Sequence, residues 1–125
     1  MEREILQKTL DNLRKNGFDA RLVHNKEEAR TLIAESLVLY GSVGFGGSMT
    51  VKALGIQDLA REHRAKVYDH GMPNLSAEEK LEMMRKSLTC DLYMTGANAI
   101  SEEGKIFNID GTGNRVAAMT FGPKK

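Results

Sequence analysis

Apolar positions fall into two alternating kinds of pattern along this chain. Ile5, Leu6, Leu10 and Leu13 recur at helical spacing, and the run stops at Asn16-Gly17, so a helix is predicted over residues 2–16. The short apolar stretch from Phe18 to Val23 reads as a first strand. Asn25 followed by Glu28 has capping-box spacing and opens a second helix carrying Ala29, Leu32, Ile33 and Leu37, with Gly41 as its terminator. Ser42 to Phe45 reads as a buried strand that runs straight into Gly46-Gly47-Ser48. A single helix with Val51, Leu54, Ile56 and Leu59 is expected after it.

The alternation continues to the end. Lys66 to His70 reads as a strand, Pro73 marks a loop, and Ser76 with Glu79 fits a second capping box before a helix with Leu81, Met84 and Leu88. Asp91 to Thr95 is the next strand; Glu102 to Lys105 supplies turn chemistry between it and Ile106 to Ile109, which predicts a hairpin-like pair. Val116 to Met119 forms an apolar helical turn, and the chain stops at Lys125 where another strand is expected, so it reads as cut short. Strands separated by helices of this length predict an α/β domain with a mostly parallel sheet and helices on both faces.

Composition narrows the function classes. With 125 residues, 41% hydrophobic and 28% charged, the chain fits one domain, residues 1–125, whose α/β core spans 17–125. Its 18 basic and 17 acidic residues leave a net charge of +1 with no basic block, which argues against nucleic-acid binding. No apolar run approaches bilayer length and the N-terminus has no signal-like segment, so a cytoplasmic protein is expected. One cysteine, Cys90, allows neither an intrachain disulfide nor an iron–sulfur cluster, and no metal site is indicated. Cys90 reads as packing.

Two segments concentrate candidate chemistry. Gly44, Gly46, Gly47, Ser48 and Thr50 join a strand to a helix start, where glycines let backbone N–H groups approach a phosphate or carboxylate. The same residues also suit a tight turn with Ser48 or Thr50 as a cap, and neither a P-loop lysine nor the third glycine of a dinucleotide fingerprint is present. The second segment runs Asn108-Ile109-Asp110-Gly111-Thr112-Gly113-Asn114-Arg115 into a helix. Here Arg115 has the fork that grips an oxyanion, and Asp110 is either an acid–base group or a helix cap. Asn98 is placed at a strand's C-terminal end, where open α/β sheets gather ligand contacts. His70 follows another strand and is a second acid–base candidate, with a structural histidine as the plainer reading.

These residues resemble a known family. VGFGGSMT, the Asp69-His70 pair, TGANAI and above all NIDGTGNRVAAMTFGPKK are similar to the LUD (lactate-utilisation) domain, long catalogued as a domain of unknown function, over Gly17 almost to the last residue. The resemblance implies the Rossmann-like fold shared by ribose-5-phosphate isomerase, glucosamine-6-phosphate deaminase and CoA transferases, with phosphate held by the loop matching Gly44 to Thr50 in the sugar-phosphate relatives. It also implies a role in oxidation of L-lactate to pyruvate beside iron–sulfur subunits. Asn98 stands where the isomerases carry an acidic residue, and family members continue beyond the final FGPKK.

The expectation is therefore a domain that binds a small anion between Gly44–Thr50 and Asn108–Arg115. It would act as an accessory subunit of lactate oxidation with no cofactor of its own, any iron–sulfur cluster lying in a partner. The alternative is an isomerase or acyl/CoA-transfer enzyme using Asp110, with His70 behind it. The apolar residues 116–123 further predict a homodimer or larger homo-oligomer.

Overall fold

The computed structural model describes residues 2–125. Eleven elements follow in order: α1 (Arg3–Lys15), α2 (Lys26–Leu37), β1 (Ser42–Phe45), α3 (Met49–Ala53), α4 (Ile56–Glu62), β2 (Lys66–Tyr68), α5 (Ala77–Ser87), β3 (Leu92–Met94), β4 (Ala99–Ile100), β5 (Ile106–Phe107) and α6 (Asn114–Phe121). A three-stranded parallel sheet, ordered β2-β1-β3, carries the fold, with Val43 opposite Val67 on one side and Leu92 on the other. The α/β class read from the alternation of helix and strand patterns is the one observed.

Side chains alternate across β1, and the two faces of the sheet are filled differently. Val43 and Phe45 pack with Leu37 of α2 and Ile56, Leu59 and Ala60 of α4 in the hydrophobic core. Gly44 faces the other way. A Cβ there would stand 2.8 Å from the Ser87 side chain and 2.9 Å from the Cys90 sulfur, so the missing side chain is what lets the end of α5 lie against β1. Cys90 is buried, its thiol pushed up mainly by burial, which makes it a packing residue of low nucleophilicity.

The capping box predicted at Ser76 forms in full, and the one predicted at Asn25 forms only in its first half. Ser76 Oγ accepts from Glu79 N at 3.1 Å while the Glu79 carboxylate accepts from Ser76 N, a reciprocal box at the start of α5. Asn25 Oδ1 accepts from Glu28 N at 2.8 Å, but the Glu28 carboxylate accepts from His24 N, one residue earlier than the box geometry requires.

Four expectations need correction. Phe18 to Val23 forms no strand: it crosses the surface as an irregular segment, with Ala20 O accepting from Arg14 Nε and Phe18 and Leu22 well exposed. The expected single helix over Val51 to Leu59 is two, because Gly55 sits at φ +68, a left-handed conformation that ends α3 and restarts the chain as α4. α2 stops at Leu37, with Val38 as its cap, four residues before Gly41. The hairpin pairs Ala99–Ile100 with Ile106–Phe107 antiparallel; Asp91 to Thr95 instead contributes β3 to the parallel sheet.

The hairpin turn is clamped to α1. Asn12 Nδ2 donates to Glu102 O, and Asn16 Nδ2 donates to Glu103 O and Gly104 O. Gly104, at φ +78, lies so close to α1 that a Cβ would meet the Asn12 backbone at 2.5 Å. At the far side of the sheet, Lys125 N donates to Asp91 O and Tyr93 N donates to Lys125 O, both at 2.9 Å. The last residue thereby extends the hydrogen bonding of β3 in the alternation of a parallel ladder. Asp91 fastens this corner: its carboxylate accepts from Ser42 N and Oγ and pairs with Lys124 at 3.0 Å, and Lys124 and Ser42 hold it below the usual carboxylate range.

Candidate functional site

β1 ends at Phe45, and the chain turns through Gly46-Gly47-Ser48 before α3 begins. Gly46 N donates to Met94 O at 3.0 Å, which ties the turn to the end of the neighbouring strand β3. Gly46 is enclosed on its other side: a Cβ would stand 2.5 Å from Tyr93 Oη and 2.7 Å from both Arg115 Cγ and Thr95 Oγ1. Gly47 is exposed, and a Cβ there would meet only His70 Nε2, at an ordinary 3.5 Å. Ser48 Oγ accepts from Val51 N at 3.2 Å, so the hydroxyl caps α3, and it lies against Gly96. Thr50 is exposed on the first turn of α3.

Behind Gly46 the second predicted segment has folded onto itself. Arg115, from the first turn of α6, donates through Nε to Asp110 Oδ1 at 2.6 Å, through Nη1 to Gly96 O at 3.1 Å, and through Nη2 to Asn98 Oδ1 at 2.6 Å and Ile109 O at 3.1 Å. The other Asp110 oxygen accepts from Val116 N at 2.7 Å, and Asn98 Oδ1 also accepts from Ile109 N. Asp110 and Arg115 side chains are 5% and 12% exposed. Burial pushes the Asp110 carboxyl up, but the Val116 N–H and the Arg115 guanidinium outweigh it and hold it below the usual range. Both of its oxygens are engaged and its affinity for a proton is low. It serves as a helix cap and ion-pair partner, poorly suited to proton abstraction near neutral pH.

The remaining members of that segment separate. Gly113, at φ +84, precedes α6, and Asn114 is its first residue. Gly111 and Thr112 form an exposed bend. Asn108 points elsewhere, into an apolar groove of about 910 Å³ bounded by Ile33, Tyr93, Met119, Phe121 and the tail; its Nδ2 approaches Met119 Sδ, and its buried Oδ1 has no partner among the described residues. Burial, reinforced by Asp110, pushes the Tyr93 phenol up to about 12, so it stays protonated as part of this wall.

The open space beside the glycine turn is not lined by Arg115. It is a cleft of about 460 Å³ between Gly46-Gly47-Ser48, Lys52 of α3, Gly55 at the α3–α4 corner, Arg61 in the last turn of α4, and the loop after β2 with Asp69, Gly71, Met72 and Pro73. Arg61 pairs with Asp58 at 3.1 Å and approaches Asp69 at 3.8 Å, while Asp69 Oδ1 accepts from Gly71 N at 2.9 Å. Lys52 makes no ion pair among the described residues and is exposed. His70 does not line this cleft; its Nε2 lies toward Gly47, and its buried Nδ1 has no partner among the described residues.

The fold therefore brings the two predicted segments together at Gly46 and Arg115, with Ser48 against Gly96 in the loop that carries Asn98, but only the first segment borders the cleft. Gly44 is a core spacer. Lys52 and Arg61 went unnoticed in the sequence because isolated cations on helices look like solvated surface. Their one signal is spacing: Lys52 lies one helical turn after Ser48. No group of His, Cys, Asp and Glu among the described residues has metal-site geometry.

The family model of the LUD domain matches residues 6–125. No curated protein and no solved structure matches the chain.

Proposed function

The chain belongs to the LUD domain family, and on that premise we propose that it binds a small anionic metabolite at the Gly46–Ser48 turn as an accessory, non-catalytic subunit in the oxidation of L-lactate to pyruvate. The observation that carries the anion reading is the conjunction of bare donors and a bare cation at one cleft. Among the described residues, the N–H groups of Gly47 and Ser48 have no acceptor, and Lys52 has no carboxylate partner. Donors left unsatisfied at a concave surface are where an anion gains most. The non-catalytic reading rests on Asp110, whose oxygens are used internally. A second reading, in which the chain is an enzyme, is favoured by one observation only: the His70 ring beside Gly47 keeps an unpartnered nitrogen.

Calorimetric titration with phosphate, sulfate and L-lactate tests the anion site. Gly47→Val, whose Cβ would stand 3.5 Å from His70 Nε2, is expected to abolish binding by crowding the N–H groups of the turn; unchanged affinity in a variant shown to be folded would place the site elsewhere. The purified chain is expected to reduce no dye with lactate, the iron–sulfur chemistry belonging to partner subunits.

Self-association is proposed on surface area. The chain exposes 8527 Å², whereas a compact monomer of 13.9 kDa exposes roughly 6,700 Å². Phe121 is 96% exposed, with Val116 and Met119 about half exposed beside it. A homodimer burying this face would remove the excess, and light scattering on wild type and Phe121→Asp measures it. A monomer in both would refute it.

A further inference from the structure

One edge of the parallel sheet is only partly paired, and it opens into the apolar groove of about 910 Å³. Met94 O accepts from Gly46 N on the β1 side, so the alternation of a parallel ladder turns the backbone groups of Tyr93 and Thr95 the other way. There Lys125 N donates to Asp91 O and Tyr93 N donates to Lys125 O, which completes one rung. The next rung in the same register would use Tyr93 O and Thr95 N. Neither has a backbone partner among the described residues, and both residues line the groove.

A second unpaired segment reaches the same groove. Phe18, Ala20 and Leu22 alternate with Asp19 and Arg21, the period of a strand, yet the backbone groups of Arg21, Leu22 and Val23 have no hydrogen-bond partner among the described residues. Phe18 lines the groove, and the Asp19 carboxyl, held below its usual range first by Arg21, also feels the charge of Lys125. Ile33 and Val51 close the groove from the side of the Val43–Phe45 core, and Ala118 and Met119 of α6, whose end packs on Leu88, close it from the other. A strand lying along Tyr93 and Thr95 would be covered on both faces, the setting in which parallel strands are apolar at successive positions. Asn108 Oδ1 interrupts the apolar lining as a buried acceptor suited to one hydroxyl.

We propose that this groove seats one extended strand of a partner polypeptide, about five residues long, parallel to β3 and beside Phe18, apolar throughout except for one Ser or Thr facing Asn108. A compact apolar ligand would leave Tyr93 O and Thr95 N unpaired, whereas an extended backbone brings an N–H and a C=O at the spacing of the rung. The partner is a different chain and not a second copy. Among the described residues, the strand-patterned segment that a copy leaves unpaired is 18–23, and Phe18 is already built into that copy's own groove. The seat is separate from the anion cleft, with which it shares no lining residue.

The test uses the full chain and a synthetic peptide, Val-Thr-Val-Ile-Val-Gly-Lys-Lys, labelled at its C-terminal lysine, the Lys pair giving solubility. Fluorescence anisotropy measures binding, and amide hydrogen exchange follows Thr95. Saturable binding is expected, with exchange of the Thr95 N–H slowed at least about tenfold at saturation while Val116 N–H, already bonded to Asp110, is unchanged. The same peptide N-methylated from its second to its fifth residue cannot donate to the edge and is expected to bind at least about tenfold more weakly. Equal affinity of the two peptides, or binding that leaves Thr95 exchange unaltered, overturns the strand seat in favour of a plain apolar pocket. Protection of Thr95 that rises with protein concentration in the absence of peptide assigns the groove to a second copy and overturns the partner. Absence of binding overturns the proposal outright.

Discussion

Two polar regions flank the same glycine turn, and they differ in how their hydrogen bonds are spent. Behind Gly46, the Arg115 guanidinium is committed to Asp110, Asn98 and two backbone carbonyls, and Asp110 also caps α6. In front, Lys52 and the N–H groups of Gly47 and Ser48 have no partner among the described residues. A satisfied buried cluster specifies a fold; an unsatisfied one at a cleft is ready for a ligand. The density of polar residues in a sequence motif does not distinguish the two, and the count of free donors does.

The largest effect that would sharpen this contrast comes from breaking the clasp. Arg115→Met leaves Asp110 as a buried carboxylate without its cation, and removal of one partner from such a pair costs about 3–5 kcal/mol. Urea denaturation measures it. Lys52→Met, by contrast, is expected to change stability by less than about 0.5 kcal/mol, the norm for surface positions. A stability loss for Lys52→Met comparable with that of Arg115→Met would erase the distinction between the two regions.

Adjacent glycines give the next test. Gly46→Ala forces a methyl against Tyr93, Thr95 and Arg115 and is expected to cost about 1–3 kcal/mol, whereas Gly47→Ala meets nothing closer than 3.5 Å and is close to neutral. Thermal denaturation of the pair reads this directly, and equal melting temperatures would mean that the turn does not pack against the clasp.

A smaller effect concerns acid. The Asp110 carboxyl lies below its ordinary value of 3.8 in the folded chain, so its ionised form stabilises the fold above the unfolded value and that contribution is lost as pH falls through the folded one. Asp91 acts in the same direction. Stability is therefore expected to decline below about pH 4, and Asp110→Asn, less stable at neutral pH, should show a shallower decline. An unaltered slope would mean that the carboxylate is not paired as described. Smallest of all, Cys90 in the folded chain should react with a disulfide reagent only as fast as the protein opens, since it is buried with its thiol raised.

Much of the fold was legible along the chain for physical reasons that particular residues illustrate. Ser76 and Glu79 marked the start of α5 because capping is a local interaction, and Val43 with Phe45 marked a buried strand because both lie on one face of it. Phe18 to Val23 misled because apolar composition alone does not supply a partner strand. Gly55 was overlooked because the helical spacing of Val51, Leu54, Ile56 and Leu59 persists across the break. In the site, the glycine turn was readable from its strand-to-helix position. The division between clasp and cleft was not, because it depends on which carbonyls Arg115 reaches across 19 residues of chain to Gly96 and on the approach of Lys52 and Asp69 from separate elements.

Amide chemical-shift mapping with inorganic phosphate bears most directly on the claim that the open side of the turn, and not the clasp, is the anion site. Saturable shifts are expected at Gly47, Ser48 and the residues around Lys52, with the Arg115 side-chain signals unmoved and the whole response lost in Lys52→Met. Shifts centred on Asp110 and Arg115, with Gly47 and Ser48 silent, would contradict it.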